Sequence, residues 1–374
     1  MYDPNDSSST RQPVSGIRGC QVLMSCDELN PTLEFLKSTL GLRIDAIFPA
    51  DNPSTAMLSG HGLSLRLGVG LPNGVQELRV LCDDPYQLSS GTREIVAPNG
   101  VRIRLEAADP PIRQPETRQA LAVSHSDQDT HWNVGRAGLR YRDLLPARHG
   151  GAFIASHIRI LDGGPVPDYT HFHKVRFQTI FCRKGWVRVV YEGQGEPFEL
   201  HAGDCVLQPP TIRHRVLASS AGAEVVELSS PAEHVTIVDH EMVLPTPATH
   251  PVRDFNGQHF VRHVAKTAKW GPWRIDGFES SNTDIGEATQ GIAGVRVVRP
   301  AGEASSRTQA HNTELCFFFV LSGTVDVVVE GDRYALASDG SITIPGNSRY
   351  AFERYSEDLQ LLEITLPDKF LIVD

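Results

Sequence analysis

The chain has no run of eighteen apolar residues, the length a helix needs to cross a bilayer, so no membrane span is expected. It has no block of basic residues either. Its net charge is −10, which argues against a nucleic-acid partner, and no helix-turn-helix pattern is visible. The N-terminus, MYDPNDSSSTRQPVSG, lacks the apolar core of a secretory signal. None of the six cysteines forms a C-x-x-C pair, so they are expected as free thiols of a cytoplasmic protein rather than disulfides or zinc ligands. What remains is a globular composition, 40% hydrophobic and 21% charged. The 32 glycines and 25 prolines suit many short strands and turns, and 374 residues suggest two or three domains.

Chemistry concentrates between Gly163 and Val216. In an extended strand, residues i and i+2 point to one face, so His171 and His173 project together. Gln178 follows in the β-branched and aromatic run FQTIF. Gly203-Asp204 is a turn, and CVLQPPTIRHRV returns as a strand carrying His214. Three imidazoles converging from neighbouring strands suit a divalent transition metal: Fe, Mn, Ni, Cu or Zn.

This stretch resembles the cupins, whose pattern is G-x(5)-H-x-H-x(4)-E-x(6)-G followed by G-x(5)-P-x-G-x(2)-H. The sequence supplies His171, His173, Gly185, Gly203, Pro209 and His214. It departs at Gln178, where most cupins carry a Glu ligand. It departs again at Thr211, in place of a turn glycine, and at Gly164, one residue too far from the first histidine. The resemblance implies a jelly-roll barrel with a metal held by His171, His173, His214 and Gln178.

Along the chain, residues 1–15 read as a disordered tail. An apolar strand follows, then a helix opened by Asn30-Pro31, with Leu33, Phe35, Leu36 and Leu40 as its buried stripe and Gly41 as its end. Several strands close on PNGVRIRL. This order, over residues 16–108, resembles a glyoxalase/vicinal-oxygen-chelate module. Where metal-bearing members place ligands, this chain has Cys20 or Gln21 and Arg104, so the module is expected to carry no metal of its own. Residues 109–132 are proline-rich and polar and read as a linker. The piece that follows holds Arg136, Arg140, Tyr141, Arg142 and Arg148. It either lies across the mouth of the next barrel or forms a solvated edge strand with salt bridges. The first cupin barrel is expected over 133–245 and a second over 246–374, giving a mostly β bicupin with a small N-terminal α+β module.

The second barrel emerges from an internal repeat. Laying FFFVLSG over TIFCRKG sets Gly323 on Gly185, His311 on His173, Gln309 on His171 and Cys316 on Gln178. Downstream, Tyr350 falls on His214. One histidine of three survives, so the second barrel is expected to be structural and metal-free. The rival trio His311, Glu314 and Cys316 lacks a natural strand geometry. Two barrels in one chain cover edge strands that each would expose; such a chain is either a pseudo-dimer or part of a homodimer.

Three neutral imidazoles and a neutral amide would leave the full charge on a divalent ion and favour a small anionic, chelating substrate. Positions left open suit a catalytic rather than a structural metal. Cupins with three histidines that resemble this one include gentisate-type, diketone-cleaving and thiol dioxygenases, which implies Fe(II), with Mn, Ni or Zn as alternatives. An isomerase, lyase or hydrolase using the metal as a Lewis acid is the rival enzyme class, and a non-enzymatic small-molecule-binding cupin a third. Candidate catalytic groups are Arg176, as a carboxylate clamp, Tyr169 beside Asp168 at the rim, and Gln208, which alternates with Val206. Arg213 and Arg215 lie close in sequence, with Arg215 expected to point away. Cys182 shares a face with Gln178 and Ile180 and reads either as a cavity thiol or a small buried hydrophobe. Trp186, Phe177 and Phe181 read as barrel packing.

Overall fold

The computed structural model describes residues 16–71, 77–87, 91–96, 102–126, 131–302 and 307–373. The tail expected at 1–15 lies outside them. The chain divides into two units, residues 1–47 with 53–111, and residues 48–52 with 112–374.

Among its described residues the first unit has one helix, Leu29–Leu40, after strand Ile17–Cys26. That strand runs parallel to Leu63–Val69 and antiparallel to Glu77–Cys82. The helix buries Leu29, Leu33 and Leu36. Phe35, expected in that stripe, is 57% exposed, because the 29/33/36 spacing turns position 35 outward. The helix begins before Asn30, with Glu28 as N-cap. Gly41 ends it in the left-handed conformation, its N–H reaching the carbonyls of Leu36 and Lys37. Cys20 is exposed, Gln21 accepts a hydrogen bond from Arg79, and Arg104 pairs with Glu77.

The second unit is two jelly-roll barrels built on one plan. In the first, a seven-stranded sheet contains Phe177–Lys184, Ala223–Ser230 and Ile154–Ile160, and the facing sheet contains Trp186–Tyr191, His214–Ser219 and His171–His173. In the second, Leu315–Ser322, Gln360–Leu366 and Gly294–Pro300 repeat the first sheet, and Thr324–Val329 with Tyr350–Glu353 repeat the second.

Strand alternation divides the labour. Phe177 and Phe181 point out of their barrel, Phe317 and Phe319 out of theirs, and these form one buried cluster with Leu228 and Leu362. Cys182 and Ile180 face the first barrel's interior, Cys316 and Phe318 the second's. Phe177 and Phe181 therefore join the barrels rather than fill one.

The two barrels also trade strands. Ala122–Ser124, within the stretch read as a linker, pairs with Ser341–Thr343 of the second barrel. Val261–His263, leading into the second barrel, pairs with Cys205–Leu207 of the first. Around the first arm, Gln119 donates to the carbonyls of Thr313 and Glu314, and Gln114 to Ser230. Residues 112–126 thus form a bonded strap. Polar side chains that read as linker composition here satisfy backbone groups of both barrels.

Candidate metal centre

His171 sits directly opposite His214 across two antiparallel strands, and His173 lies two residues along on the same face. All three are buried, and one ligand nitrogen from each lies within 4.8 Å of the others. Backbone and hydroxyl groups aim the rings. The Nδ1 of His171 faces the Tyr169 carbonyl at 2.8 Å, and that of His214 the Ile212 carbonyl at 3.0 Å. The Nδ1 of His173 lies 3.2 Å from the Thr236 hydroxyl. A carbonyl can only accept, so Nδ1 carries the proton in His171 and His214. The Nε2 lone pair is then free, as a ligand requires. His171 Nε2 is buried and makes no hydrogen bond.

Burial pushes all three imidazoles toward the neutral form. His171 and His173 fall well below the usual histidine range, with Arg136 and the neighbouring rings adding to the effect. His214 falls to about 4, again chiefly through burial. Three neutral, converging nitrogen donors with an orphaned buried Nε2 fit a divalent transition metal.

The histidine loop departs from the usual pattern without losing its shape. Thr211 takes the left-handed conformation of the expected glycine, at φ 67°. Its N–H is held by the His173 carbonyl at 2.9 Å and its own carbonyl by Arg213. Those bonds hold a β-branched residue where glycine would be unstrained.

A cavity of about 70 Å³ opens beside the histidines. Its wall is largely apolar, with Leu139, Ile158, Ile180, Val189 and Val225, and carries His173, His214, Gln178, Gln208, Arg136, Glu227 and Tyr191. Gln178 donates through Nε2 to the Glu227 carboxylate at 2.8 Å. A carboxylate can only accept, so the amide's oxygen is the end left for the cavity and for a metal. Gln208 donates to the Tyr191 hydroxyl at 2.8 Å, and the Tyr191 ring stacks on His214.

The other expected residues fall elsewhere. Arg176 points to the second barrel, pairing with Glu314 at 3.0 Å, and does not line the cavity. Tyr169 packs its ring against His171 and beneath Arg136, with its hydroxyl buried. Asp168 is buried, paired with Arg136 and accepting from the Val216 N–H at 2.9 Å. Cys182 is wholly buried in the barrel interior and off the cavity wall, and burial pushes its thiol up to about 12. Arg213 lies over Phe172 and pairs with Asp239, and Arg215 is exposed.

Glu227 and Tyr191 were not legible as site residues. Glu227 reaches the cavity because Ala223–Ser230 pairs with Phe177–Lys184 and puts it opposite Ile180. No local motif marks that. Arg136 had a signal in the repeat, since W-x(3)-R occurs at 132–136 and again at 270–274. Each tryptophan is covered by an arginine, Arg159 over Trp132 at 4.2 Å and Arg299 over Trp270 at 3.8 Å.

The Gln178–Glu227 contact makes a prediction. In Gln178→Glu two carboxylates meet at hydrogen-bond distance, and one must hold a proton. The metal-free variant should lose about 1–3 kcal/mol of stability. A carboxyl whose folded pKa is raised costs stability as pH rises through that pKa. The deficit should therefore be largest at pH 8 and shrink toward pH 5. Chemical denaturation at both pH values measures it.

The Cupin domain family matches residues 157–229 and 295–365. The chain therefore carries two cupin domains, the same two barrels that the repeat marks. Among solved structures, salicylate 1,2-dioxygenase from Pseudaminobacter salicylatoxidans is similar at 14% identity, with TM-score 0.52, over 67% of this chain and 86% of that one. Oxalate decarboxylase from Bacillus subtilis is similar at 14% identity, TM-score 0.50, over 68% of this chain and 78% of that one. Protein Ylba from E. coli is similar at 12%, TM-score 0.50, over 69% and 96%. At these identities the likeness is one of fold. A search of curated proteins found no match.

Proposed function

We propose that the first barrel is a metal-dependent enzyme centre, and that its reaction is an Fe(II) dioxygenation of a small anionic aromatic or keto acid. The observation that carries this is the donor set. Three neutral imidazoles converge beside a largely apolar cavity, whose wall also carries the Gln178 amide. When bound, Fe(II) would supply the redox centre at which substrate and dioxygen meet. His171, His173 and His214 hold it, with Gln178 beside them. The apolar wall excludes water and accepts an organic body. Arg136 is the cationic side chain on that wall, and it draws in an anionic group. Gln208 and Tyr191 present a hydrogen-bonding pair to whatever occupies the cavity. The fold is shared with a salicylate dioxygenase and with an oxalate decarboxylase, so it leaves the choice of reaction to the site.

Glu227 supports a second reading, a non-oxidative lyase or isomerase. A half-buried carboxylate on the cavity wall is a ready acid–base group. The N-terminal unit, on either reading, is a glyoxalase-like module that carries no metal of its own. The two readings part in an oxygen electrode. Protein reconstituted with Fe(II) should consume oxygen with a hydroxylated aromatic acid or keto acid, and zinc-loaded protein should not. Turnover with zinc, or full turnover under argon, would favour the lyase or isomerase.

A further inference from the structure

Arg136 and Arg274 occupy the same point of the repeat, four residues beyond its tryptophan. The positions around them correspond as well. Gln309 bridges to Tyr350 as His171 pairs with His214. Phe318 stands opposite Glu363 as Ile180 stands opposite Glu227. Both barrels thus carry a carboxylate at one matched place, wholly buried at Glu363 and half-buried at Glu227, with an arginine nearby.

The two arginines do different things. In the second barrel, Arg274 pairs with Glu363 and donates to the Tyr350 hydroxyl at 3.1 Å. It reaches the carboxylate that matches Glu227 and the phenol that matches His214. Phe318 and Phe352, in the places of Ile180 and Val216, fill the interior around it. In the first barrel, Arg136 is drawn the other way, onto Asp168 and over the Tyr169 ring. Glu227 is left with hydrogen bonds from Gln178 and Ser229. The second barrel's sequence has Ser306 at the position of Asp168, outside the described residues, so no carboxylate stands at that point of the repeat.

We propose that the Arg274 guanidinium stands in the second barrel where the first takes its metal, and that Asp168 keeps Arg136 from filling the first. A carboxylate inside a barrel favours a nearby cation, and a guanidinium and a divalent ion are rivals for that role. Asp168 decides the contest because it offers Arg136 a closer, buried partner. This inference rests on the reading of His171, His173 and His214 as a metal site.

The test uses the full chain as Asp168→Asn, Arg136→Met, and two double variants, Asp168→Asn with Arg136→Met and Asp168→Asn with Arg136→Lys. Asparagine keeps the acceptor for the Val216 N–H. Each protein is titrated with Co(II), and binding is read from the visible absorption and from elemental analysis after dialysis, with circular dichroism to check the fold. Wild type should bind one ion per chain. Asp168→Asn should lose at least tenfold in affinity, and Arg136→Met should bind at least as tightly as wild type. Both double variants should recover to within about threefold of wild type, since the lysine keeps the charge but not the two-armed reach. Undiminished binding by Asp168→Asn, weakened binding by Arg136→Met, or failure of either double variant to recover would overturn the proposal and leave the metal centre standing. Wild type that binds no Co(II) would overturn the metal centre and the proposal together.

Discussion

His171→Ala should strip the first barrel of its metal. Outer residues that only orient a ligand are worth about 10–100-fold in metal affinity, and a lost ligand more than that. Affinity should fall by more than about 100-fold, and activity with it. The loss should be local. His171 Nε2 makes no hydrogen bond, so the metal-free protein loses the Nδ1 contacts to the Tyr169 carbonyl and Asp168 and the ring packing on Tyr169, His173 and His214, all within the site. Elemental analysis of wild type and variant after identical reconstitution reads the result, with thermal unfolding of the metal-free forms as control. Equal metal in both proteins would mean that the bound ion sits elsewhere. Iron at one per chain, absent from the variant, would support the dioxygenase reading, and zinc or manganese the lyase or isomerase.

Arg274→Met should be the most damaging single change in the second barrel. Glu363 is wholly buried, and its charge is met by Arg274, with Arg296 at 3.8 Å and the Trp273 Nε1 donating at 3.1 Å. Burial works against the Arg274 charge, and Glu363 more than offsets it, holding the pKa above the usual arginine range. Removing one partner of a buried pair leaves the other uncompensated, at about 3–5 kcal/mol. Replacing both, as in Arg274→Met with Glu363→Leu, should recover much of that loss, because an apolar pair of similar volume suits an interior already lined by Phe318, Phe352 and Trp273. Denaturation of single and double variants gives the coupling. A single variant within 1 kcal/mol of wild type would show that the pair is not needed for the fold.

The outcomes at particular residues show where a sequence can be read. His171 and His173 were legible because a strand's period of two needs only the local chain. The convergence of His214 with His171 followed from a motif, and the correspondence of Tyr350 and Gln309 to them from a repeat; the structure shows both as direct pairing across strands. Phe35 went the other way. Local periodicity allowed it into the helix stripe, and the packing of residues 29, 33 and 36 put it outside. Arg176 was placed near the ligands by sequence distance, yet its side chain pairs with Glu314 of the other barrel.

The sequence by itself determined two barrels, the histidine cluster, and the loss of two histidines in the second copy. Each of these is written in short motifs whose spacing is set by backbone geometry. Only the tertiary structure decided that residues 112–126 strap the barrels together, that Glu227 and Tyr191 share the cavity wall, and which way each arginine of the repeat turns. The reason is the same in all three cases. They depend on which strands lie side by side and which buried charge finds which partner, and neither is encoded within any one stretch of chain.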